Sequence, residues 1–385
     1  MKYLLFKMKR FCGFITGFVF FISGILKLMD PVGAGLVMKE YFKFLHLGFL
    51  NPTATAAGFV FAIAESIVGA GLITGVWRKV MAQVAIVLQG LFTLLTLLLV
   101  IFQPEMDCGC FGEAIHLTHG ETFVKNIILL ALLLIYYIPR QKLGGTKKKK
   151  YVSFGLVSLS TVAFAIYSLL YIPMVDFTDF RPGTLVNSDK TSGSGVYQAV
   201  FIYEKDGKED TFTLETLPDS TWTFVRTETQ SPAETEKQPA TISIYDRNGN
   251  YADHLLTEGK SFVITVYKEN IPQNEQELII KTLDNAEASG FRPLLLSASA
   301  DIGCDCLYFC DYKTLITLNR SNGGATYMED GYIIRKWAKK ALPDAEELTM
   351  LSKEDSTETF IGRDTRSNLA FQGFLLYVFA VMLLL

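Results

Sequence analysis

The chain has 385 residues, half of them apolar and 19% charged, enough for more than one folded unit. Its charge is unevenly spread: residues 1–172 carry a net +9, residues 173–368 a net −12, and residues 369–385 none. So sharp a split argues for two compartments. It also argues against nucleic-acid binding and against an acidic half lying flat on anionic lipid, since both need basic clusters.

A hydrocarbon core about 30 Å thick requires roughly 20 apolar helical residues. Six segments meet that need, near 11–29, 56–76, 81–102, 123–139, 151–172 and 369–385. The first, with its basic start, also suits a signal peptide. Lys27 and Asp30 follow it without a clean small-residue cleavage site, so it is read as a span. Cys12 within it reads as a small buried apolar side chain. Basic residues collect before the first span (Lys2, Lys7, Lys9, Arg10), between the second and third (Arg78, Lys79), and between the fourth and fifth (Arg140, Lys142, Lys147–Lys150). If every span crosses, these three sites share one side, which the positive-inside bias makes cytoplasmic. The loops 30–55 and 103–122 and the whole segment 173–368 are then expected outside, with both termini inside.

Within the spans, Glu65 is costly unless it faces the bundle interior, and Lys27 lies where it could reach it. Gln83, Gln89 and Asn126 suit interhelical hydrogen bonding.

After Pro173 the chain turns polar and strand-like. QAVFIYEKDGKEDTFTLE alternates around Asp206-Gly207, a dipeptide suited to a tight hairpin turn, and 229–240 reads as a linker. A strand at 261–268, a helix at 276–290 stopped by Gly290, a strand at 291–299, a hairpin turning at Asp330-Gly331 and a helix near Lys339 and Asp344 then follow. That order is thioredoxin-like.

The stretches FISGILKLMDPVGAG, AIAESIVGAGLITG and DCGCFG, all within residues 8–140, resemble the DoxX/MauE group of bacterial membrane proteins. The resemblance implies a multi-pass protein of the bacterial inner membrane with a four-helix core, associated with methylamine utilisation and disulfide formation outside the cytoplasm. TLITLNRSNGGATYMEDGYIIRKW resembles the C-terminal half of thioredoxin-like domains, with two departures. ENIPQNEQ stands where a redox-active member carries Cys-x-x-Cys, and Gly323-Gly324 where thioredoxins hold a cis-proline. The expected fold is therefore a membrane α-helical bundle with an extracytoplasmic α/β thioredoxin-like domain. Its divisions are a four-helix domain at 1–150, a fifth span at 151–172, a β-rich segment and linker at 173–239, the thioredoxin-like domain at 240–355 and a last span at 369–385.

The chemistry centres on cysteine. Cys108 and Cys110, one glycine apart at the mouth of the bundle, can close a small ring whose strain would make it exchangeable. Gly109 would supply the bend. Asp107 and Glu113 would raise the thiol pKa values and favour the bonded form. Cys108, Cys110 and Glu65 are the candidate catalytic set, Glu65 as proton acceptor. A structural pair is the plainer alternative, and Cys108, Cys110, His116 and His119 form an alternative zinc or copper(I) set. Cys304, Cys306 and Cys310 allow one disulfide and one spare thiol, serving either as relay or as loop staple. Analogy with other membrane thiol oxidases implies a quinone as electron acceptor, although no quinone motif is readable. The expected function is thiol–disulfide exchange with the outer domain, an exported client or a redox protein. A non-catalytic envelope scaffold and a metal or small-molecule transporter are the alternatives.

Overall fold

The computed structural model describes residues 2–138, 145–186, 198–205, 208–212, 218, 222–230, 240–299 and 302–384. Six helical segments among them are long and apolar enough to cross a membrane: Lys7–Met29, Gly48–Thr74, Arg78–Phe102, His119–Tyr137, Lys148–Leu170 and Thr365–Leu384. They lie in helices α1 (Lys2–Met29), α3 (Ala54–Thr74, entered through a 3-10 turn), α4 (Arg78–Phe102), α5 (His119–Tyr137), α6 (Lys148–Leu170) and α11 (Ser356–Leu384).

Between α1 and α3 the expected loop is largely a helix, α2 (Pro31–Phe44). Its cause is local. The Asp30 carboxylate accepts from the Gly33 amide at 2.9 Å, and Pro31 opens the first turn with φ already set. The small residues Ala34 and Gly35 then lie against α3 at Gly58 and Thr55.

Helices α1 and α3 approach so closely that a Cβ on Gly69 would strike the backbone of Phe21, and one on Gly17 the carbonyl of Gly69. Without a hydrophobic force between helices in lipid, such small-residue contact is what lets dispersion hold them. Gln89 donates to the Asn126 carbonyl at 3.1 Å, and Asn126 donates to Thr96 at 3.2 Å, joining α4 to α5 as expected. Gln83 is exposed instead, because its position on α4 faces away from α5. Helix α11 packs antiparallel on α6. Phe164 stacks on Phe374 at 4.7 Å, and Lys150 at the start of α6 donates to the Met382 carbonyl at 2.8 Å. A lysine bonding the last carbonyls of a helix satisfies groups that have no partner within it.

The non-membrane part has two sheets. In the first, β2 (Gln198–Lys205) pairs antiparallel with β3 (Lys208–Phe212) and β4 (Thr223–Gln230), in the order β3-β2-β4. The expected hairpin is present as the β2–β3 pairing; its turn residues Asp206 and Gly207 lie outside the described residues. After the short α7 (His254–Thr257) comes the second sheet, ordered β7-β6-β5-β8-β9. Its strands are β5 (Lys260–Val266), β6 (Arg292–Ser297), β7 (Leu307–Phe309), β8 (Gly324–Glu329) and β9 (Tyr332–Trp337). Strands β5, β6 and β7 run parallel, whereas β8 opposes β5, and β9 opposes β8. Helices α8 (Gln273–Ala288), α9 (Tyr312–Leu318) and α10 (Ala345–Lys353) cover the sheet.

Alternation along β5 divides two cores. Phe262, Ile264 and Val266 face one cluster with Leu283 and Leu348, while Val263 faces another with Ile244, Leu315 and Met328. The β8–β9 hairpin turns at Asp330 (φ 47°) and Gly331 (φ 82°), the left-handed pair that a two-residue hairpin turn needs. Both sheet edges are covered: the segment at Leu185 bridges to β9 and Tyr245 bridges to β7, which hides the unpaired backbone.

Candidate functional site

Lys27, Glu65, Cys108 and Cys110 converge on one place in the membrane half. Strand β1 (Cys110–Glu113) follows directly on Gly109, and both Gly109 (φ 58°) and Gly112 within the strand (φ 60°) take left-handed conformations. At Gly109 the requirement is double, since a Cβ there would also run into the Val37 side chain on α2. The loop is held at both cysteines. Tyr41 on α2 donates to the Cys108 carbonyl at 3.0 Å, and Ser23 on α1 donates to the Cys110 carbonyl at 2.7 Å. The Ser23 hydroxyl also lies 3.4 Å from Glu65 Oε2. Lys27 Nζ reaches the same oxygen at 2.7 Å, and sits 5.4 Å from the Phe92 ring centre. The Glu65 side chain is only 5% exposed, so its charge depends on Lys27 for compensation.

Below the loop lies a cavity of about 240 Å³. Cys108, Gly109 and Cys110 border it on one side and the Lys27–Glu65 pair on another, with Phe61, Phe92 and Leu95 among its apolar walls. Thiols and an intramembrane ion pair thus share one apolar space.

Both cysteines are free thiols in this structure, whereas a bonded pair was the sequence expectation. Burial pushes the Cys108 thiol above its ordinary pKa, with Cys110 and Asp107 adding to the shift. Burial likewise lifts the Tyr41 phenol, so it stays a neutral donor at ordinary pH. Glu113 does not act as expected: it turns to Arg320 at 3.0 Å rather than pressing on the thiols. The alternative metal set is not assembled. His116 Nδ1 lies 3.4 Å from Asp107, and His119 Nε2 lies 2.9 Å from the Met106 carbonyl. Among the described residues no group of three or more His, Cys, Asp or Glu side chains is placed to hold a metal ion.

The second cysteine cluster divides as the residue count allowed. Cys304 and Cys306 are disulfide-bonded, and Cys310 is the spare. The bonded pair packs against the core on one face of the large sheet, whereas Cys310 is buried in the core on the other. Burial, with Asp311 adding, pushes the Cys310 thiol up to about 12. The spare thiol is therefore protonated and screened from that disulfide by the sheet.

Sequence reasoning missed Arg320, which joins the two halves. It lies just after α9, its side chain 6% exposed, and its Nε and Nη2 both reach Asp30 Oδ2 at 2.9 Å while Nη2 also reaches Glu113 at 3.0 Å. Burial alone would lower its pKa, but Asp30 and Glu113 outweigh that and hold it above the ordinary value. A second buried pair, Lys336–Asp176 at 2.7 Å, ties β9 to the segment after α6.

A helical bundle with several apolar spans and a loop of paired thiols above a buried ion pair defines a multi-pass membrane protein with a cysteine-bearing mouth. More particularly, the membrane half is MauE-like: residues 2–139 match the family described as methylamine utilisation protein MauE. Residues 197–231, a range that includes strands β2, β3 and β4, match a domain of unknown function, DUF8463. No curated protein and no solved structure matches the chain.

Proposed function

We propose that this protein carries out thiol–disulfide exchange at Cys108 and Cys110, outside the cytoplasm, at the mouth of an inner-membrane bundle. The observation that carries the reading is the shared environment: two thiols bordering the cavity that a buried Glu65–Lys27 pair also lines, on a glycine-shaped loop whose Cys110 carbonyl accepts from Ser23, itself within reach of Glu65. An inert structural loop has no need of an intramembrane carboxylate beside its cysteines. In exchange, one thiol must lose its proton to become the nucleophile. Glu65, one hydroxyl away from the Cys110 backbone, is placed to hold that proton, and Lys27 to steady its charge. The basic residues around the spans support putting segment 173–368 on the outer side.

The large sheet supports a thioredoxin-like domain at 240–355. A parallel β6–β5 pair followed by antiparallel β8 and β9, in the order β6-β5-β8-β9, is the arrangement such a domain uses. It lacks the usual dithiol, since Glu269 and Asn270 follow β5. On this reading its role is to cap the membrane site and to receive or present a client, with Cys304–Cys306 as a loop staple. The buried clamps through Arg320 and Lys336 favour this scaffold role for that half of the chain.

The test is differential alkylation and mass spectrometry of full-length protein equilibrated across a dithiol/disulfide redox series. Exchange predicts a reversible Cys108–Cys110 transition in which the Cys304–Cys306 bond stays closed. A Cys108–Cys110 pair that remains two thiols under strong oxidant, or a disulfide at every potential, defeats the proposal.

A further inference from the structure

Resting on the thiol-exchange reading, we propose that the cavity beneath the Cys108–Cys110 loop binds the ring of a lipid-soluble quinone, which takes the electrons of the two thiols. The cavity supplies what such a ring needs. Its walls are apolar and aromatic, with Phe61, Phe92 and Leu95 around the space. Its volume of about 240 Å³ falls below the roughly 300–1,000 Å³ of pockets that enclose a whole drug-sized molecule. It therefore takes a ring and leaves a long isoprenoid tail in lipid. Leu91, which lines the cavity and is also 41% exposed on the surface of α4, offers a route for that tail.

Donors suited to carbonyl oxygens line the same space, among them Lys27, Tyr41, Gln89, Lys125 and Asn126. Lys27 uses one of its N–H donors on Glu65, so others remain for an acceptor in the cavity. An ordinary acyl chain offers no use for a buried ammonium–carboxylate pair, whereas a ring that gains two protons does.

The chemistry balances. Cys108 and Cys110 lose two electrons and two protons as a bond forms between their Sγ atoms. The quinone gains both electrons and both protons, ending as the hydroquinone with one proton on each oxygen. Glu65 accepts a thiol proton and passes it on, and the Lys27 ammonium stabilises negative charge developing at the ring oxygen.

The experiment uses full-length protein in phosphatidylcholine nanodiscs and a short-tailed benzoquinone bearing a photoreactive azide. Saturable labelling is expected on the cavity walls of α1, α3 and α4, competed by unlabelled benzoquinone. Replacing Leu95 by Trp fills the space and should abolish labelling. The double change Lys27→Met with Glu65→Gln removes both charges together, avoids stranding either one, and should weaken binding on the order of tenfold or more, as loss of a charged donor implies. In a second measurement, reduced protein is mixed anaerobically with the same quinone, and one hydroquinone should form for each Cys108–Cys110 pair closed. Labelling that does not saturate, or that survives Leu95→Trp, overturns the site. Saturable labelling without hydroquinone, in protein whose thiols exchange normally with a model disulfide, makes the cavity a lipid seat and overturns the electron-accepting role. If the thiols exchange with no model disulfide, the thiol-exchange reading itself fails, and the labelling arm still decides whether the ring binds.

Discussion

Arg320 offers the sharpest perturbation, because one side chain holds two elements of the candidate site. Asp30 caps α2, which carries Tyr41 and so fixes the Cys108 carbonyl; Glu113 ends β1, which begins with Cys110. Replacing Arg320 with Ala leaves both carboxylates without their cation at a contact where their side chains are only 13% and 30% exposed. Removing one partner of a buried pair typically costs ~3–5 kcal/mol. Partial exposure of Glu113 argues for the lower end. If the loss falls on the contact between the two halves, ~3 kcal/mol shifts the docked-to-open balance by on the order of 100-fold. The readout is the alkylation rate of Cys110 by a maleimide that cannot cross the membrane, alongside hydrogen exchange across residues 31–44 and 108–113. Both should rise by at least tenfold in Arg320→Ala, and Arg320→Lys should rise less, because it keeps the charge but not the fork geometry. The reasoning is refuted if Arg320→Ala changes neither rate by more than about twofold while the protein stays folded; roughly twofold is the noise of a ~0.4 kcal/mol effect.

Gly109→Ala should distort the cysteine loop and lower the melting temperature of the membrane half, at a cost of about 1–3 kcal/mol for a left-handed residue plus the Val37 collision. In the native protein at pH 8 Cys110 should alkylate first and Cys310 should resist, because a thiol pushed up to about 12 has a thiolate fraction of on the order of one in 10,000; rapid labelling of Cys310 would show that it is not buried as described. The Asp176 carboxyl is held below its ordinary value because, although burial opposes its charge, Lys336 outweighs burial. Its folded value is depressed, so the pair's contribution is fully present above about 3.8 and is lost as pH falls through the lower folded value. Acid detachment of the α/β part, followed by hydrogen exchange in residues 332–337, should therefore begin below pH 4 in the native protein. Asp176→Asn, which strands a fully buried lysine, should weaken the same contact already at neutral pH.

The spans were legible because hydropathy over about 20 residues is a one-dimensional signal and the bilayer imposes it. The β8–β9 hairpin was legible because Asp330-Gly331 carries its turn chemistry locally. Lys27 and Glu65 were linked from sequence for the same reason: few charges lie in the spans, and a buried one needs a partner. Helix α2 was also written in the chain, as Asp30-Pro31 followed by small residues, but at 14 residues it is too short to be found by a search for spans. Arg320 was not readable at all. Its bond to Asp30 joins residues 290 apart, and nothing near either residue distinguishes it from a solvated charge.

The two cysteine clusters looked alike in sequence, each with Cys-x-Cys spacing, and the fold gives them opposite surroundings. Cys304 and Cys306 are already bonded to each other against a packed core, with the remaining thiol on the far side of a sheet. Cys108 and Cys110 are free and border a cavity that the buried Glu65 carboxylate also lines. A relay between the clusters would need the sulfurs of the two clusters to meet, because exchange proceeds only by direct attack of one sulfur on another, and the sulfur of Cys310 is buried in the far core of the sheet. The Arg320 and Lys336 pairs oppose movement of the α/β part, and each is buried enough that opening it is expensive. The spacing that made a relay attractive in sequence is thus a shared local geometry, and the two pairs differ in bonding and surroundings: one is closed to a disulfide, and the other is two free thiols bordering a cavity. A direct check follows. Cys108→Ser should leave the Cys304–Cys306 bond and the buried Cys310 thiol unchanged in a trapping experiment. A changed pattern at either would mean that the clamps release during turnover, and that the α/β part works as a moving partner of the membrane thiols.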